Sequence, residues 1–206
     1  MRKGLKQSKQ MPLLIVLSGP SGAGKDTVLD RMKELNLPCH YVMTLTTRPR
    51  RPGESNGVDY HFTSEAEFQE MIQQGELLEW AKVYGHWYGV PKQQVEQALE
   101  RGEDIVVKVD VQGAATIKNL FPGAVLIFLT PPSIEEQARR LQQRKSESTA
   151  ELELRIKTIQ EEMKYLPLFD YVVVNLQGEI DSAISQIKEI ITAEKQRVNH
   201  QVIESK

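Results

Sequence analysis

Residues 13–25 read LLIVLSGPSGAGK, and this stretch decides the architecture of the chain. The apolar run from Leu13 to Leu17 has the length and continuity of a buried parallel strand. The segment Gly19-Pro20-Ser21-Gly22-Ala23-Gly24-Lys25 follows it directly, with a glycine, four residues, a second glycine and a lysine. This order predicts a strand, a tight loop and a helix that opens near Lys25.

Such a loop is suited to hold phosphate groups. Its glycines permit positive φ angles, so that backbone N–H groups converge on one concavity. The helix N-terminus adds a partial positive charge and Lys25 a full one. We therefore predict an ATP site that comprises Gly19, Pro20, Ser21, Gly22, Ala23, Gly24, Lys25, Asp26 and Thr27. Asp26 stands where a Ser or Thr hydroxyl usually holds Mg²⁺, and its carboxylate is the candidate ligand for a Mg²⁺ that accompanies ATP.

The remaining chain alternates apolar runs with helical patterns, which favours an α/β fold around a parallel sheet. The further strand candidates are Ile105–Val109, Val125–Thr130 and Tyr171–Asn175. A helical stripe formed by Ile180, Ala183, Ile184, Ile187 and Ile191 closes the chain, and a second is expected near residues 150–166. We expect a basic tail over residues 1–11 and one domain over 12–206.

Composition excludes several classes of protein. The chain has 206 residues, which is about one domain, and a formal net charge of −2, which disfavours nucleic-acid binding. A single cysteine, Cys39, cannot form an internal disulfide. No apolar run approaches the roughly 20 residues of a membrane span. We expect a cytoplasmic protein without nucleic-acid or membrane partners, and its oligomeric state cannot be inferred from these patterns.

Residues 45–91 are predicted to form a small α+β insertion. Arg48 and Arg51 lie on an irregular loop rich in proline and glycine, where two planar guanidinium groups would suit a second phosphate. A solvated basic turn is the alternative. Short strands are expected over Asp59–Phe62 and Leu77–Tyr84, with a helix from about Ser64 to Gln74.

The sequence resembles the guanylate kinase family from about Leu13 to about Glu194. The segment Thr46-Thr47-Arg48-x-x-Arg51-x-x-Glu54-x-x-Gly57-x-x-Tyr60-x-Phe62 carries most of this resemblance. Further matches in order are Glu79-Trp80-Ala81, Tyr88-Gly89, Asp110-Val111-Gln112-Gly113, Pro131-Pro132-Ser133 and Val174-Asn175. The implied fold is a three-layer core with a parallel sheet (12–44, 92–138 and 159–206), a GMP-binding insertion (45–91) and a short helical lid (139–158).

The resemblance also implies an activity and its residues. The reaction would be transfer of the ATP γ-phosphoryl group to GMP, and to dGMP, with Mg²⁺. The GMP ligands would be Thr44, Arg48, Arg51, Tyr60, Glu79, Tyr88 and Asp110. Catalysis would fall to Lys25, Arg48 and the lid arginines Arg140, Arg144 and Arg155, and Asn175 would lie near the adenine of ATP. Glu79 and Asp110 suit guanine, whose N1–H and 2-amino group form a donor pair that adenine lacks.

Three residues depart from the family pattern. Asp26 replaces a hydroxyl residue, Lys108 replaces an acid two positions before Asp110, and Val90 replaces a Ser or Thr that contacts guanine. The first two exchange charge, so we predict that Asp26 and Lys108 lie within about 6 Å and pair. The Val90 change should weaken the GMP site without altering its preference.

Two other functions remain open at this point. Ribose 1,5-bisphosphate kinases resemble this chain in fold, and some carry Asp after the loop lysine. Guanylate-kinase-like scaffold modules bind peptides without catalysis, but they generally lack an intact phosphate loop, which this chain retains in Gly24 and Lys25.

Overall fold

A computed structural model describes residues 11–142 and 157–197. Its strands are β1 (Leu14–Ser18), β2 (Cys39–Tyr41), β3 (Leu45–Thr46), β4 (His61–Phe62), β5 (Leu77–Val83), β6 (His86–Pro91), β7 (Asp104–Lys108), β8 (Val125–Thr130) and β9 (Tyr171–Val174). Its helices are α1 (Lys25–Glu34), α2 (Glu65–Gln73), α3 (Lys92–Arg101), α4 (Val111–Leu120), α5 (Ile134–Gln142), α6 (157–163) and α7 (Ile180–Lys195).

The main sheet is parallel throughout, with the strand order β2-β7-β1-β8-β9. Strands β1 and β7 are buried along their whole length, as the continuous apolar runs predict. One face packs against α1 and α7, where Val28 and Ile184 meet Ile15. The other packs against α3 and α4, where Val95 and Ile117 join the core. The predicted three-layer α/β architecture is confirmed.

The insertion forms its own four-stranded sheet, in the order β4-β3-β6-β5, with α2 beside it. Ser64 caps α2 through a capping box with Glu67, which fixes where the helix begins. Phe68 is fully buried against Leu45 and Leu77. The insertion therefore has a small core of its own, and the predicted α+β composition is confirmed.

Several element limits differ from the sequence prediction, because local patterns were weak there. The strand predicted from Asp59 begins only at His61, since the Asp59 carboxylate accepts a hydrogen bond from the Ser55 N–H and closes a turn. The short strands β2, β3 and β6 were not predicted; they carry no apolar run, and β6 contains Gly89 and ends at Pro91.

Several predictions fall partly or wholly outside the described residues. These are the basic tail over 1–10, the lid between residues 143 and 156, and with it Arg144 and Arg155. Within the described part, α6 ends before a 3₁₀ turn over Leu166–Leu168, where Pro167 stops the helix.

Candidate active site

A pocket lies between the carboxyl ends of the main strands and the insertion. The phosphate loop forms one end and residues of β5, β6 and β7 form the other. Its walls include Ser21, Gly22, Ala23, Gly24, Lys25, Asp26, Thr44, Arg51, Tyr60, Glu79, Tyr88, Lys108, Asp110 and Glu162. Ligands of open α/β sheets bind at this position, outside the carboxyl ends of the strands.

The phosphate loop has the predicted strand–loop–helix setting. Gly19, Gly22 and Gly24 have φ angles of 140°, 84° and 92°, which favour glycine. At Gly19 a Cβ would lie 2.0 Å from the Leu129 carbonyl oxygen, so only glycine lets the loop pass this close to β8. Lys25 opens α1, and its Nζ donates to the carbonyl oxygens of Gly19 (2.6 Å) and Pro20 (3.2 Å).

Polar side chains from distant elements support this loop. Asn175 donates from Nδ2 to the Ala23 carbonyl at 2.9 Å, and the buried Gln137 donates to the Ser21 carbonyl at 2.6 Å. The Glu162 carboxylate of α6 accepts the Ser21 N–H at 3.1 Å and the Tyr84 hydroxyl at 3.3 Å. A carboxylate of the protein itself therefore accepts one of the anion-binding N–H groups of the loop.

Among residues 11–142 and 157–197, no carboxylate accepts a hydrogen bond from the Lys25 ammonium group. Burial lowers its pKa, while the charges of Glu162 and Asp26 oppose that shift. A half-buried cation that donates to backbone carbonyls gains when phosphate oxygens enter. The position of Lys25 thus matches its predicted role toward ATP phosphates.

Asp26 and Lys108 form the predicted pair. Lys108 Nζ lies 2.5 Å from Asp26 Oδ1, so the expected proximity is confirmed. The Tyr60 hydroxyl donates to the same oxygen at 3.2 Å. Burial disfavours the charged form of both groups, but the attraction between the two charges outweighs this effect. The pKa of Asp26 therefore falls to about 2, and the pKa of Lys108 is raised.

The other end of the pocket holds a buried carboxyl group, Glu79, whose pKa is shifted in the opposite direction from that of Asp26. Glu79 is 3% exposed, and its Oε2 has no hydrogen-bond partner in the part of the chain that the structure describes. Burial, with the nearby charge of Asp110, raises the pKa of Glu79 to about 8. Asp110 caps α4 by accepting the Gly113 N–H at 2.8 Å. A Cβ on Gly113 would lie 2.8 Å from Glu79 Oε1, so this glycine leaves room for the carboxylate.

The two insertion arginines have different surroundings. Arg51 lines the pocket, whereas Arg48 lies behind it and binds Glu54 through Nη2 at 2.7 and 3.0 Å. The Arg48 Nε is buried without a partner. Tyr60 and Tyr88, also predicted GMP ligands, meet edge to face with ring centroids 6.1 Å apart. The Thr44 hydroxyl donates to the Lys108 carbonyl at 3.2 Å and faces the same pocket.

The remaining predicted residues lie off the pocket wall. Arg140 donates to the Asn175 carbonyl at 2.8 Å and pairs with Glu136. Asn175 supports the loop from behind, and Thr27 is exposed on α1. Val90 is fully buried in the core beside α3, which gives its methyl groups a packing role at a position where we expected only a lost hydrogen bond.

Sequence reasoning missed Glu162, Gln137, Tyr84 and Gly113. Glu162 lies in the polar run Gln160-Glu161-Glu162, which reads as an exposed helix face. Gln137 is likewise embedded in a charged helix. Gly113 was predicted only as part of the family motif Asp110-Val111-Gln112-Gly113, without a role of its own. Tyr84 was predicted as the last residue of a strand, but it lies with Gly85 in the turn between β5 and β6 and has a φ of 49°.

The residues for a divalent cation are few. Among residues 11–142 and 157–197, no group of three or more His, Cys, Asp or Glu side chains could hold a metal ion. The Asp26 side chain is 49% exposed beside the phosphate loop, and both of its hydrogen bonds described above use Oδ1. A single carboxylate with nucleotide phosphates is a usual ligand set for Mg²⁺, so the site fits a metal that arrives with ATP.

Comparison with known proteins agrees with this geometry. The fold and the loop define a P-loop kinase. The family model described as guanylate kinase matches residues 11–194. The chain therefore belongs to the guanylate kinase family.

Individual relatives support the assignment. The guanylate kinase of Caldanaerobacter subterraneus subsp. tengcongensis is 46% identical over 93% of this chain and 92% of its own length. "Guanylate kinase 2, chloroplastic/mitochondrial" of Oryza sativa subsp. japonica is 45% identical over 93% of this chain and 68% of its own. The crystal structure of guanylate kinase from Anaplasma phagocytophilum has a TM-score of 0.78 at 30% identity, covering 95% and 93% of the two chains.

In the described part of the chain, no helix combines the length and apolar character needed to cross a bilayer.

Proposed function

We propose that this chain transfers the γ-phosphoryl group of ATP to GMP, and to dGMP, to give ADP and GDP. The observation that carries the proposal is the buried Glu79 carboxylate, with its unpartnered Oε2, in the same pocket as the phosphate loop. A guanine base would supply N1–H and the 2-amino group to Glu79 and Asp110. Adenine would leave the buried carboxylate unpaired, which costs the full desolvation penalty of that group.

In this proposal each end of the pocket binds one substrate. Lys25 and the amides of residues 19–26 bind the ATP phosphates, and Asn175 supports the loop near the adenine side. Thr44, Arg48, Arg51, Tyr60 and Tyr88 bind the phosphate of GMP. Because Arg48 already contacts Glu54 and lies behind Tyr60, its guanidinium reaches the phosphate only after a side-chain movement.

The chemistry needs positioning more than proton transfer. A GMP phosphate oxygen, ionised at pH 7, attacks the γ-phosphorus while the bond to the bridging β–γ oxygen breaks, and ADP leaves. Lys25 stabilises charge on the leaving group. We assign Arg140, Arg144 and Arg155 to a lid over residues 139–158 that closes on the transferring group and excludes water. Asp26, together with the nucleotide phosphates, would hold Mg²⁺, which would supply further charge neutralisation.

A coupled ADP-release assay tests this function directly. ATP and Mg²⁺ are incubated with GMP, dGMP, AMP, UMP and ribose 1,5-bisphosphate in parallel. We expect turnover with GMP and dGMP to exceed that with AMP by at least about 100-fold, the discrimination that a lost buried hydrogen-bond pair provides. The Lys25→Met variant is the control for contaminating kinases.

Other outcomes would favour the alternatives. Turnover of ribose 1,5-bisphosphate without turnover of GMP would overturn the proposal in favour of a sugar-phosphate kinase. Absence of turnover with all five acceptors, together with absence of ATP binding, would favour a binding module.

A further inference from the structure

Besides Lys25, the pocket contains a buried lysine, Lys108, that has no role in the proposed reaction. Lys108 ends β7, pairs in register with Leu17 of β1, and so lies directly beside the start of the phosphate loop. Its side chain is 8% exposed and lines the pocket. A fixed positive charge at this depth needs a function or a partner to offset its desolvation.

The only carboxylate bonded to Lys108 among the described residues belongs to Asp26. A single oxygen, Oδ1, accepts both the Lys108 ammonium at 2.5 Å and the Tyr60 hydroxyl at 3.2 Å. Asp26 is 49% exposed on its side chain, whereas Lys108 is deeply buried, so the two members of the pair differ in their freedom to move. The carboxylate can leave toward solvent, and the ammonium cannot.

The surroundings of Tyr60 favour an anion at this position. The Lys108 ammonium lies 3.9 Å from the centre of the Tyr60 ring, and the Arg48 guanidinium lies 5.6 Å from it. The Lys108 ammonium and the Tyr60 hydroxyl thus both approach the negatively charged Asp26 Oδ1. Arg51 lines the same pocket, and Arg48 lies over the phenol ring. A cation and a hydroxyl donor that meet on one oxygen, with further arginines nearby, are typical surroundings of a phosphate.

We propose that Lys108 binds the phosphate of the acceptor nucleotide, and that Asp26 Oδ1 occupies the place of a phosphate oxygen until the acceptor arrives. On binding, a phosphate oxygen accepts the Lys108 N–H and the Tyr60 O–H in place of Asp26. Lys108 is thus a further substrate-binding residue, and Asp26 is an internal competitor for the same donors. This inference rests on the proposed function, because it takes GMP as the acceptor.

Substitutions of the two members of this ion pair should change GMP affinity in opposite directions. Lys108→Met removes the cation and should weaken GMP binding by about tenfold or more, as expected for a charge-assisted hydrogen bond. Asp26→Asn removes the competing charge and leaves Lys108 in place, so GMP should bind at least about threefold more tightly. If the ion pair had a purely structural role, both variants would bind GMP more weakly than the unmodified protein.

The test is equilibrium binding of GMP and of guanosine by calorimetry, without ATP or Mg²⁺. We expect guanosine affinity to stay within about twofold in every variant, because guanosine lacks the phosphate. The decisive comparison is Asp26→Asn against the double variant Asp26→Asn/Lys108→Met, in which no ion pair exists to be broken. GMP should bind the double variant at least about tenfold more weakly than the single one.

Lys118→Met is the matched control. Lys118 also pairs with a carboxylate, that of Asp170, and donates to the Ala124 carbonyl, but it does not line the pocket. Its substitution should leave the GMP dissociation constant unchanged. Thermal unfolding of all variants, with the retained guanosine affinity, verifies that the pocket is folded.

Contrary outcomes are separable. Equal GMP affinities for Asp26→Asn and the double variant, or a parallel loss of guanosine binding, would overturn the role of Lys108. Failure of the unmodified protein to bind either GMP or guanosine would instead overturn the proposed function, and this inference with it.

Discussion

The donor end and the base end of the pocket treat a carboxylate in opposite ways. At the donor end, beside the phosphate loop and where the acceptor phosphate is also proposed to bind, Asp26 faces the buried Lys108, and the pKa of Asp26 falls to about 2. At the base end, Glu79 is buried near another acid, Asp110, and the pKa of Glu79 rises to about 8. A phosphate is negatively charged, and its binding site is lined by cations. Guanine carries N–H donors, and its binding site holds an unpaired hydrogen-bond acceptor. Each end is complementary to what its substrate carries.

The strongest test of the donor end is Lys25→Met. The side chain loses its charge at a similar length, so the loop keeps its volume but not its cation. We expect kcat to fall by about 100- to 1000-fold, the usual cost of removing one charge-stabilising donor. Steady-state kinetics with GMP measure this, and the KM for GMP should change by less than about threefold. A larger effect on that KM than on kcat would contradict the division into two ends.

The corresponding test of the base end is Glu79→Gln. An amide cannot accept both guanine donors, so kcat/KM for GMP should fall by about 10- to 100-fold. The unfolded chain keeps a Glu79 pKa near the ordinary 4.5, so the buried carboxyl destabilises the fold increasingly from that pH up to about 8. The variant should therefore unfold at a higher temperature than the parent at pH 8. A lower unfolding temperature would contradict burial as the cause of the shift.

The two ends should also differ in their pH dependence. Guanine binding needs ionised Glu79, so guanosine affinity should rise about tenfold per pH unit up to pH 8 and then level off. Guanosine is used because it has no phosphate that titrates. Asp26, whose pKa is about 2, remains ionised throughout this range and adds no slope of its own. Calorimetric titration with guanosine from pH 6 to 9 measures the slope, and Glu79→Gln should abolish it.

A smaller effect is expected for Gly113→Ala. The added Cβ would lie 2.8–2.9 Å from the Glu79 carboxyl group, whose flexible end must then shift. We expect GMP affinity to fall by about threefold to tenfold, the worth of one neutral hydrogen bond. Binding of ATP should be unaffected. An unchanged GMP affinity would show that Glu79 adjusts freely and that Gly113 does not shape the base end.

Only part of the site could be predicted from the sequence. The phosphate loop is continuous in sequence, so its residue spacing and the apolar strand before it were sufficient to predict it. The Asp26–Lys108 pair could be predicted because two departures from the family pattern had opposite charge. The positions of Glu162 and Gln137 could not be predicted, since tertiary packing alone turns these residues of polar helices inward. The core position of Val90 was missed because neighbouring strand residues were not yet assigned to faces.

The Glu162 carboxylate on the phosphate loop has a consequence for selectivity among free anions. A bare loop would capture sulfate or inorganic phosphate, which are abundant in solution. Here an ion that takes the Ser21 N–H must displace a tethered carboxylate that Tyr84 also binds, and a small ion offers fewer contacts in exchange than a triphosphate does. We therefore expect that ATP, with its longer run of phosphates, enters readily, while sulfate at millimolar concentration inhibits weakly. The Glu162 carboxylate thus acts as an internal competitor for anions at the phosphate loop.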